Sequence, residues 1–420
     1  MAAEDLRRQG RLAEFIDGVT TGMGRRERRE AMGDYLRALL MSGERKSVQA
    51  LAGRMAARPQ EVESHRQRMQ QAVVVAKWDE EETYRRICSA ALEAVPDLEA
   101  LVFDDTGFAK KGPWSPGVQR QYSGTLGRVD NCQVAVSLHL ATDTSSVCIG
   151  MRLFLPESWD EDEVRRCRAR IPEDVHHLEK WRLALQMLDD RKAWGLGGRV
   201  ALADAGYGDC RKFRLGLEAR GFQYVVGVSS TVKVWADGRL PSSPQQRRKA
   251  KGKSRGHPIT TWGTDLQPET VSDVALRAAD DDWVEFIWRN GSQAEREGRF
   301  LAKRVRHAHR VTKGTTPGDE QWLLIQWNAD QDKPSNYWLS NLPPSESVER
   351  LVYLAKLRWR VERDYQDMKG ELGLDHFEGR TWRGFHHHCA LVAAAHAFLT
   401  IERALFPPRR TLATGLSSAP

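Results

Sequence analysis

The sequence predicts a mixed α/β protein, and three hydrophobic patterns support this fold class. Segments 98–109 and 197–208 each contain an apolar run of β-favouring residues, which is typical of a buried strand, and each run ends at an acid. Leu, Ala and Met recur at helical spacing from the start of the chain to about residue 90. Alternating segments fill much of the stretch 231–342. Strands that alternate with helices indicate a core in which helices cover a sheet.

Residues 1–90 are predicted to form a helical domain. Within them, ERKSVQALAGRMAARPQEVESHRQRM divides into two short helices joined near Arg58-Pro59, because a residue before proline disfavours the helical conformation. Two interpretations of this pair stay open. It is either a helix-turn-helix suited to contact a nucleic-acid groove, or part of a plain bundle with a solvated basic face.

Residues 91–230 are predicted to form the first part of the α/β core. LEALVFDDTGFA carries Asp104 and Asp105 where its apolar run stops, and GGRVALADAGYG ends its apolar run at Asp204. A strand pair is expected between them, at 132–156, around the turn TDTSS. Two strands of this core therefore deliver carboxylates at their ends.

Residues 231–342 are predicted to form an all-β insertion. DWVEFIWRNGS, RFLAKRV, EQWLLIQW and NYWLSNL contain the residue types typical of strands. A basic segment rich in Ser, Pro and Gly, at 242–256, is expected to be a loop whose charges lie in solvent or near phosphate.

Residues 343–405 return to a helical pattern and are predicted to complete the core. One long helix is expected from Ser345 to about Gly373, and an apolar helix from about Phe385 to Leu405. The three histidines at 386–388 are not expected to form a metal site, because consecutive helical residues diverge by about 100° and cannot all face one ion. They are expected instead to be a partly exposed cluster at the start of the helix. Residues 406–420 form a tail.

The composition is that of a globular protein with a basic balance, and 420 residues favour two or three domains. Lys and Arg outnumber Asp and Glu by 64 to 57, a net charge of +7 that weakly favours a polyanionic partner. Six scattered cysteines without a CxxC pair fit a reducing cytosol and argue against a zinc site. The longest apolar run has thirteen residues, so we expect neither secretion nor a membrane span.

The helix at 357–373, LRWRVERDYQDMKGELG, places three charged side chains beside its apolar stripe. At about 100° per residue, Arg358 lies near −40° and Lys369 near −20° when Glu362 is set at about zero. A solvated face would spread its charges on the far side of the helix. A stabilising Arg–Glu pair at i,i+4 remains the alternative interpretation.

Asp, Asp and Glu from remote parts of a basic chain predict a metal-dependent site. Carboxylates brought together repel one another unless cations neutralise them, and Mg²⁺ prefers oxygen ligands. Two such ions about 4 Å apart activate the attacking oxygen and stabilise the leaving oxygen in phosphodiester displacement. This pattern indicates cleavage or strand transfer of a nucleic acid.

These residues resemble the DDE transposases of bacterial insertion sequences, in the branch with a ribonuclease-H-like core, a β insertion and a Tyr-x2-Arg-x3-Glu-x6-Lys signature. Arg358, Glu362 and Lys369 fit its spacing, but Ala355 stands at the Tyr position. Tyr353 is one candidate to supply the missing hydroxyl. Tyr365 is the other. The segments FDDTGFAKKGPWSPGVQRQYSGTLGRVDNCQVAVSLHLA, ALADAGYGD and GLDHFEGRTWRGFHHH resemble the family around and after its acids.

The resemblance implies that Asp104, Asp204 and Glu362 are the catalytic acids and that together they bind two Mg²⁺ or Mn²⁺ ions. It favours Asp104 over its neighbour Asp105, since the family pattern Asp-[Asp/Glu]-Thr-Gly-Phe uses the first acid. Arg358 and Lys369 are implied to bind phosphates of the DNA end. Two further candidates for DNA contact, with exposed-loop solubility as the equal alternative, are Lys110 and Lys111.

The resemblance also implies the partners and the setting. A homodimer pairs two terminal inverted repeats of double-stranded DNA, nicks each end, and joins the 3′-hydroxyls to target DNA in the bacterial cytoplasm, at the nucleoid. Relatives often form a DNA hairpin and flip a base onto an aromatic side chain. The candidates for that stacking, each of which is also a candidate for sheet core, are Trp283, Trp288, Trp322, Trp327 and Trp338.

Two rival functions belong to other classes. The first is an inactivated relative that acts as a DNA-binding regulator, which Ala355 would allow. The second is another ribonuclease-H-like nuclease, such as a junction resolvase, against which the β insertion and the Arg-Glu-Lys spacing both count.

Overall fold

The computed structural model describes residues 2–124, 127–236, 245–246, 260–261, 267–289, 296–308, 318–328 and 331–407. The predicted basic segment at 242–256 and the predicted tail lie almost wholly outside these ranges. The α-helices are α1 (Ala2–Thr20), α2 (Arg26–Leu40), α3 (Val48–Met55), α4 (Val62–Gln70), α5 (Glu80–Ala94), α6 (Glu157–Asp160), α7 (Glu163–Ala169), α8 (Lys180–Asp190), α9 (Ala205–Gly208), α10 (Arg211–Glu218), α11 (Val271–Leu276), α12 (Val348–Leu357), α13 (Trp359–Gly370) and α14 (Trp382–Leu405).

The strands follow the same chain order. They are β1 (Ala100–Ala109), β2 (Gln119–Ser123), β3 (Arg128–Ala141), β4 (Ser146–Leu153), β5 (Val200–Ala203), β6 (Gln223–Val228), β7 (Lys233–Ala236), β8 (Gln245–Gln246), β9 (Thr260–Thr261), β10 (Glu269–Thr270), β11 (Val284–Arg289), β12 (Arg296–His307), β13 (Gln321–Trp327) and β14 (Asn336–Ser340). This mixture of helices and mixed-direction sheet is the predicted α/β class.

The chain divides into two compact units, and β1 contributes to both. The first unit comprises residues 1–98, 105–177 and 362–420, and the second comprises 99–104 and 178–361. In the part of the chain that the structure describes, no helix is long and apolar enough to cross a membrane.

The first unit begins with the helices α1 to α5. A 3-10 turn at Pro59–Glu61 joins α3 to α4, so the two predicted short helices meet where the sequence expects them. Helices α3 and α4 pack on each other and on α2. Asp79 begins α5 by accepting a hydrogen bond from the Glu81 amide at 2.9 Å, since an N-cap carboxylate satisfies an amide that has no partner within the helix.

Helix α14 is the centre of the first unit and packs against α2, α5 and β4. The prediction of a partly exposed histidine cluster is wrong, because His386, His387 and His388 are all at most 5% exposed. Each ring finds a backbone partner: for example, His388 Nε2 donates to the Gly373 carbonyl at 3.1 Å. Burial lowers the pKa of each of the three to about 4. They are therefore neutral packing residues of the core.

The sheet of the first unit is an antiparallel meander beside the second half of β1. β2 pairs with β3 and β3 pairs with β4, both antiparallel, as the predicted strand pair requires. The sequence predicts that the first strand stops at its acids, but β1 continues to Ala109. The reason is that β3 lies beside β1, and the Lys110 amide still donates to the Asn131 carbonyl at 3.0 Å.

The sheet of the second unit starts from the first half of β1. β1 pairs with β5 and β5 with β6, both parallel. β6 then pairs antiparallel with β14, and the order continues through β13, β12, β7 and β10, with β11 on β12. The predicted strands between 231 and 342 are therefore present, but α11 shows that the stretch is not all β. Thr270 and Asp273 form a capping box that starts this helix.

The predicted long helix is divided into α12 and α13. α12 ends at Leu357, α13 begins at Trp359, and Arg358 stands between them. The predicted apolar stripe is nevertheless buried throughout, since none of its side chains is more than 7% exposed. Its members are Leu354, Leu357, Val361, Tyr365, Met368 and Leu372.

Candidate active site

Asp104 lies on β1, and Asp204 directly follows the neighbouring parallel strand β5 in the second unit. The register pairs Ala100 with Val200 and Val102 with Leu202, so that continuing each strand by two residues brings Asp104 opposite Asp204. Adjacent strands lie about 4.8 Å apart. The register therefore predicts that the backbones carrying the two carboxylates lie next to each other.

Asp204 is held in a tight turn between β5 and α9. Its Oδ1 accepts a hydrogen bond from the Gly206 amide at 3.0 Å and so begins the short helix. Gly208 is required by close packing, because a Cβ there would lie 1.8 Å from the Gly227 carbonyl oxygen of β6. The motif ALADAGYGD therefore fixes the backbone that carries Asp204.

Asp104 is buried and paired with Arg358. Its carboxylate is 11% exposed, and Oδ2 accepts a hydrogen bond from Arg358 Nη1 at 2.7 Å. A buried carboxylate needs such a partner, because desolvating a charge is costly. Arg358, which the family resemblance assigns to DNA phosphate, is the counter-ion of a predicted catalytic acid in this structure. That pairing is non-local, and it coincides with the interruption of the predicted long helix.

Asp105 is half-buried, whereas Asp104 is buried. Successive side chains of a strand point to opposite faces, so the two carboxylates cannot face the same site. Asp104 forms an ion pair with Arg358. This difference favours Asp104 as the functional acid.

The two tyrosines that could replace the signature hydroxyl both have other contacts. Tyr353 Oη donates to Glu99 Oε1 at 2.7 Å, beside the ion pair of Arg350 with the same carboxylate. Tyr365 is buried, with its hydroxyl 2.5 Å from Ser137 Oγ. Ala355, at the signature position itself, is 8% exposed.

Glu362 lies in the first turn of α13 and is exposed, in the first unit. Lys369 lies two turns further along. Its ammonium donates to the Gly107 carbonyl at 2.7 Å and lies 5.3 Å from the centre of the Phe108 ring. Burial lowers the pKa of Lys369 to about 8. This lysine is a cation whose charge is lost in mildly alkaline solution.

The two neighbouring lysines after β1 differ. Lys110 Nζ donates to the Phe377 carbonyl at 2.8 Å, and burial lowers its pKa. Lys111 is exposed. The exposure of Lys111 is compatible with either a solubility role or a DNA contact, whereas the Lys110 ammonium already has a hydrogen-bond acceptor within the first unit.

The tryptophans proposed for base stacking are half-buried where they are described. Trp283 packs against Trp327 with ring centres 5.7 Å apart, and Trp322 Nε1 donates to the Pro343 carbonyl at 2.9 Å. The Trp338 ring lies 5.0 Å from Lys356 Nζ. The side chain of Trp288 lies outside the described residues.

The donor chemistry of the predicted acids suits a divalent ion, since Mg²⁺ and Mn²⁺ prefer carboxylate oxygens. Among the residues whose positions are described, however, no group of three or more His, Cys, Asp or Glu side chains is arranged to hold a metal. Arg358 supplies the positive charge at Asp104 instead. The sequence did not predict this ion pair, because the spacing of Arg358 does not reveal its partner.

The sequence also missed Asp364, a carboxylate inside α13 that is 2% exposed. It lies three residues after Val361 and four before Met368, within the apolar stripe. An acid at a stripe position is the signal that could have found it. Its partners are His139, Ser146 and His396.

Comparison with known proteins places the chain among nucleic-acid enzymes. Residues 18–295, more than half of the chain, match the family described as DDE superfamily endonuclease. A protein of Microchaete diplosiphon named probable transposase for insertion sequence element IS701 is 31% identical over 131 residues, which are 31% of this chain and 32% of the relative. The match thus spans about a third of that relative's length.

One solved structure similar to this chain is the cryo-EM structure of a piggyBac transposase synaptic complex with hairpin DNA. The two are 12% identical, with a TM-score of 0.39, over 91% of this chain and 66% of that one.

Proposed function

Because the chain belongs to the DDE superfamily endonucleases, we propose that it is a DNA transposase. It binds terminal inverted repeats, cleaves the element ends by metal-dependent phosphodiester hydrolysis, and joins the 3′-hydroxyls to target DNA. The observation that supports this proposal is the parallel pairing of β1 with β5, whose register predicts that the backbones of Asp104 and Asp204 lie next to each other, together with the ion pair of Arg358 with Asp104.

The proposed core is ribonuclease-H-like. Its support is a meander, β2 to β4, beside β1 in the first unit, and the parallel strands β1, β5 and β6 in the second. The strands β7 to β14 lie in the chain between β6 and α12, which supports an insertion in front of the last acid. The proposed domains are a DNA-binding domain (1–90), the two parts of the core (91–230 and 343–405) around the insertion (231–342), and a tail (406–420).

The proposed roles follow from side-chain chemistry. Asp104, Asp204 and Glu362 hold two Mg²⁺ or Mn²⁺ ions, which activate the attacking oxygen and stabilise the leaving oxygen when they are bound. Asp204 is oriented by the Gly206 amide, and Asp104 accepts a hydrogen bond from Arg358.

The cations of the site are proposed to bind the DNA end. Arg358 presents a planar fork that matches phosphate, and Lys369 a point charge. Lys111 is a further candidate for contact with the DNA backbone because its side chain is exposed. Lys110 is a weaker candidate, because its ammonium already donates to a carbonyl.

The partners are proposed to be double-stranded DNA and a second copy of the chain. Two terminal repeats have to be cut in concert, so a homodimer supplies one active site for each end. The reaction takes place in the bacterial cytoplasm, at the nucleoid.

An inactivated, DNA-binding relative is the second candidate function. The observation that favours it is Ala355, which is buried at the position of the signature tyrosine and offers no hydroxyl. In that case the protein binds the element ends and does not cut them.

Cleavage of an end-labelled duplex taken from the DNA flanking the gene tests the proposal. The purified chain is incubated with Mg²⁺ or Mn²⁺ beside Glu362→Gln, with Glu371→Gln as the matched control, because Glu371 is exposed near the end of the same helix. We expect cleavage by the wild type and by the control, and none by Glu362→Gln. Binding without cleavage by the wild type would favour the regulator, and cleavage by Glu362→Gln would refute the role of Glu362.

A further inference from the structure

Helix α13 carries one exposed and one buried carboxylate. Glu362 is exposed, whereas Asp364 is 2% exposed. Residues two positions apart on a helix diverge by about 200°, so these two side chains lie on nearly opposite faces of α13. The direction of Glu362 is therefore set by whatever holds Asp364.

Asp364 is held from three elements of the first unit. His139 of β3 donates from Nδ1 to Oδ2 at 2.8 Å, and Ser146 of β4 donates from Oγ to Oδ1 at 2.5 Å. On α14, His396 Nε2 lies 3.7 Å from Oδ1. Both carboxylate oxygens are thus tied to side chains of the sheet.

The next residue of the helix extends this network. Tyr365 Oη lies 2.5 Å from Ser137 Oγ, which lies 3.0 Å from His139 Nε2. Ser137 and His139 are fully buried. The network therefore joins two consecutive residues of α13 to one strand, β3.

Such a network restricts α13 more tightly than apolar packing does. The remaining stripe residues, such as Val361 and Met368, can exchange one apolar neighbour for another. A buried carboxylate cannot, because rotation of the helix leaves its donors without a partner. A slip of α13 by one residue would turn Glu362 by about 100° and separate Asp364 from both strands.

We propose that Asp364 is a positioning residue that fixes the rotation of α13 through His139 and Ser146, and so aims Glu362 at the metal and the DNA. This inference rests on the proposed role of Glu362. It assigns Asp364 no contact with substrate or metal.

The test compares Asp364→Asn with Asp367→Asn in the full chain. Both substitutions preserve side-chain size, and both residues lie on α13. Asp367, however, pairs with Arg363 at 3.2 Å and with Arg403 at 3.5 Å. Four quantities are measured: the cleavage rate, the half-saturating Mn²⁺ concentration, the Kd for the end duplex without metal, and hydrogen exchange of the α13 amides without metal. Ser146→Ala is the milder variant, because it removes one hydrogen bond to Asp364 and little volume.

For Asp364→Asn we expect cleavage at least tenfold slower, a half-saturating Mn²⁺ concentration several-fold higher, faster exchange in α13, and an unchanged Kd. We expect the same direction, with smaller size, for Ser146→Ala, and wild-type values for Asp367→Asn. A purely structural role would instead weaken DNA binding and cleavage together at an unchanged Mn²⁺ requirement, which would overturn the proposal.

Glu362→Gln in the same assay tests the proposed role of Glu362 separately from the positioning role of Asp364. If it is inactive while Asp364→Asn and Ser146→Ala cleave with the wild-type rate and Mn²⁺ requirement, the positioning role is wrong and the proposed function stands. If Glu362→Gln cleaves like the wild type, both inferences fail. Should Asp364→Asn not fold, Ser146→Ala alone decides, since unchanged Mn²⁺ dependence in that variant overturns the proposal.

Discussion

The affinity for the DNA end should fall as the pH rises through the pKa of Lys369. Burial lowers that pKa to about 8, against an ordinary value near 10.4. With a pKa of about 8, about nine-tenths of Lys369 is protonated at pH 7 and about one-tenth at pH 9. If phosphate binding requires the charged form, the Kd should rise about tenfold over this range, because the charged fraction falls by about that factor.

Fluorescence anisotropy with the end duplex, at fixed ionic strength and without divalent metal, measures this change. Lys369→Arg is the control, since a guanidinium stays charged at pH 9 and should remove most of the effect. Lys369→Gln should bind weakly at both pH values with a nearly flat profile. A parallel loss of affinity in the wild type and in Lys369→Arg would refute the assignment of Lys369 to phosphate.

Three further outcomes are expected. His386–His388 are neutral in both the folded and unfolded states above about pH 6.5, and as the pH falls towards 4 only the unfolded state binds their protons. The free energy of unfolding should therefore drop by up to about 4 kcal/mol per pH unit in this range. Urea titrations of His388→Gln should show a slope smaller by about a third. Gly208→Ala should lower Tm strongly, because its Cβ would overlap the carbonyl of β6, whereas Gly53→Ala, with nothing within 4 Å in α3, should leave Tm unchanged or raise it. Asp104→Asn should abolish cleavage yet bind the end duplex without metal at least as tightly as the wild type, since it releases Arg358 towards phosphate; weaker binding in an anisotropy titration would contradict this.

Local patterns of the sequence predict much of the site. The apolar run before Asp204 gives a strand that ends at the acid, and the stripe that contains Leu357 and Met368 is buried as its spacing predicts. Side-chain type and helical period suffice for these statements, because each concerns one segment.

What the sequence could not predict depends on partners far along the chain. Arg358 lies between two helices and pairs with Asp104, 254 residues away. The histidines at 386–388 are polar by type, yet they are buried because backbone carbonyls and amides of other segments accept from them or donate to them, such as the Val73 carbonyl at 2.8 Å from His387 Nδ1. Asp364 looks like one more charge of a charged helix until β3 and β4 are folded beside it.

Under the proposed function, the ion pair between Asp104 and Arg358 should link metal binding to DNA binding by electrostatics. A buried carboxylate needs a positive charge, and Arg358 supplies it in this structure. In the proposed mechanism a divalent ion at Asp104 would supply positive charge in place of Arg358, and two oxygens of a DNA-end phosphate would accept hydrogen bonds from the planar guanidinium. Binding of metal should therefore raise the affinity for DNA. By thermodynamic reciprocity, DNA should raise the affinity for metal by the same factor.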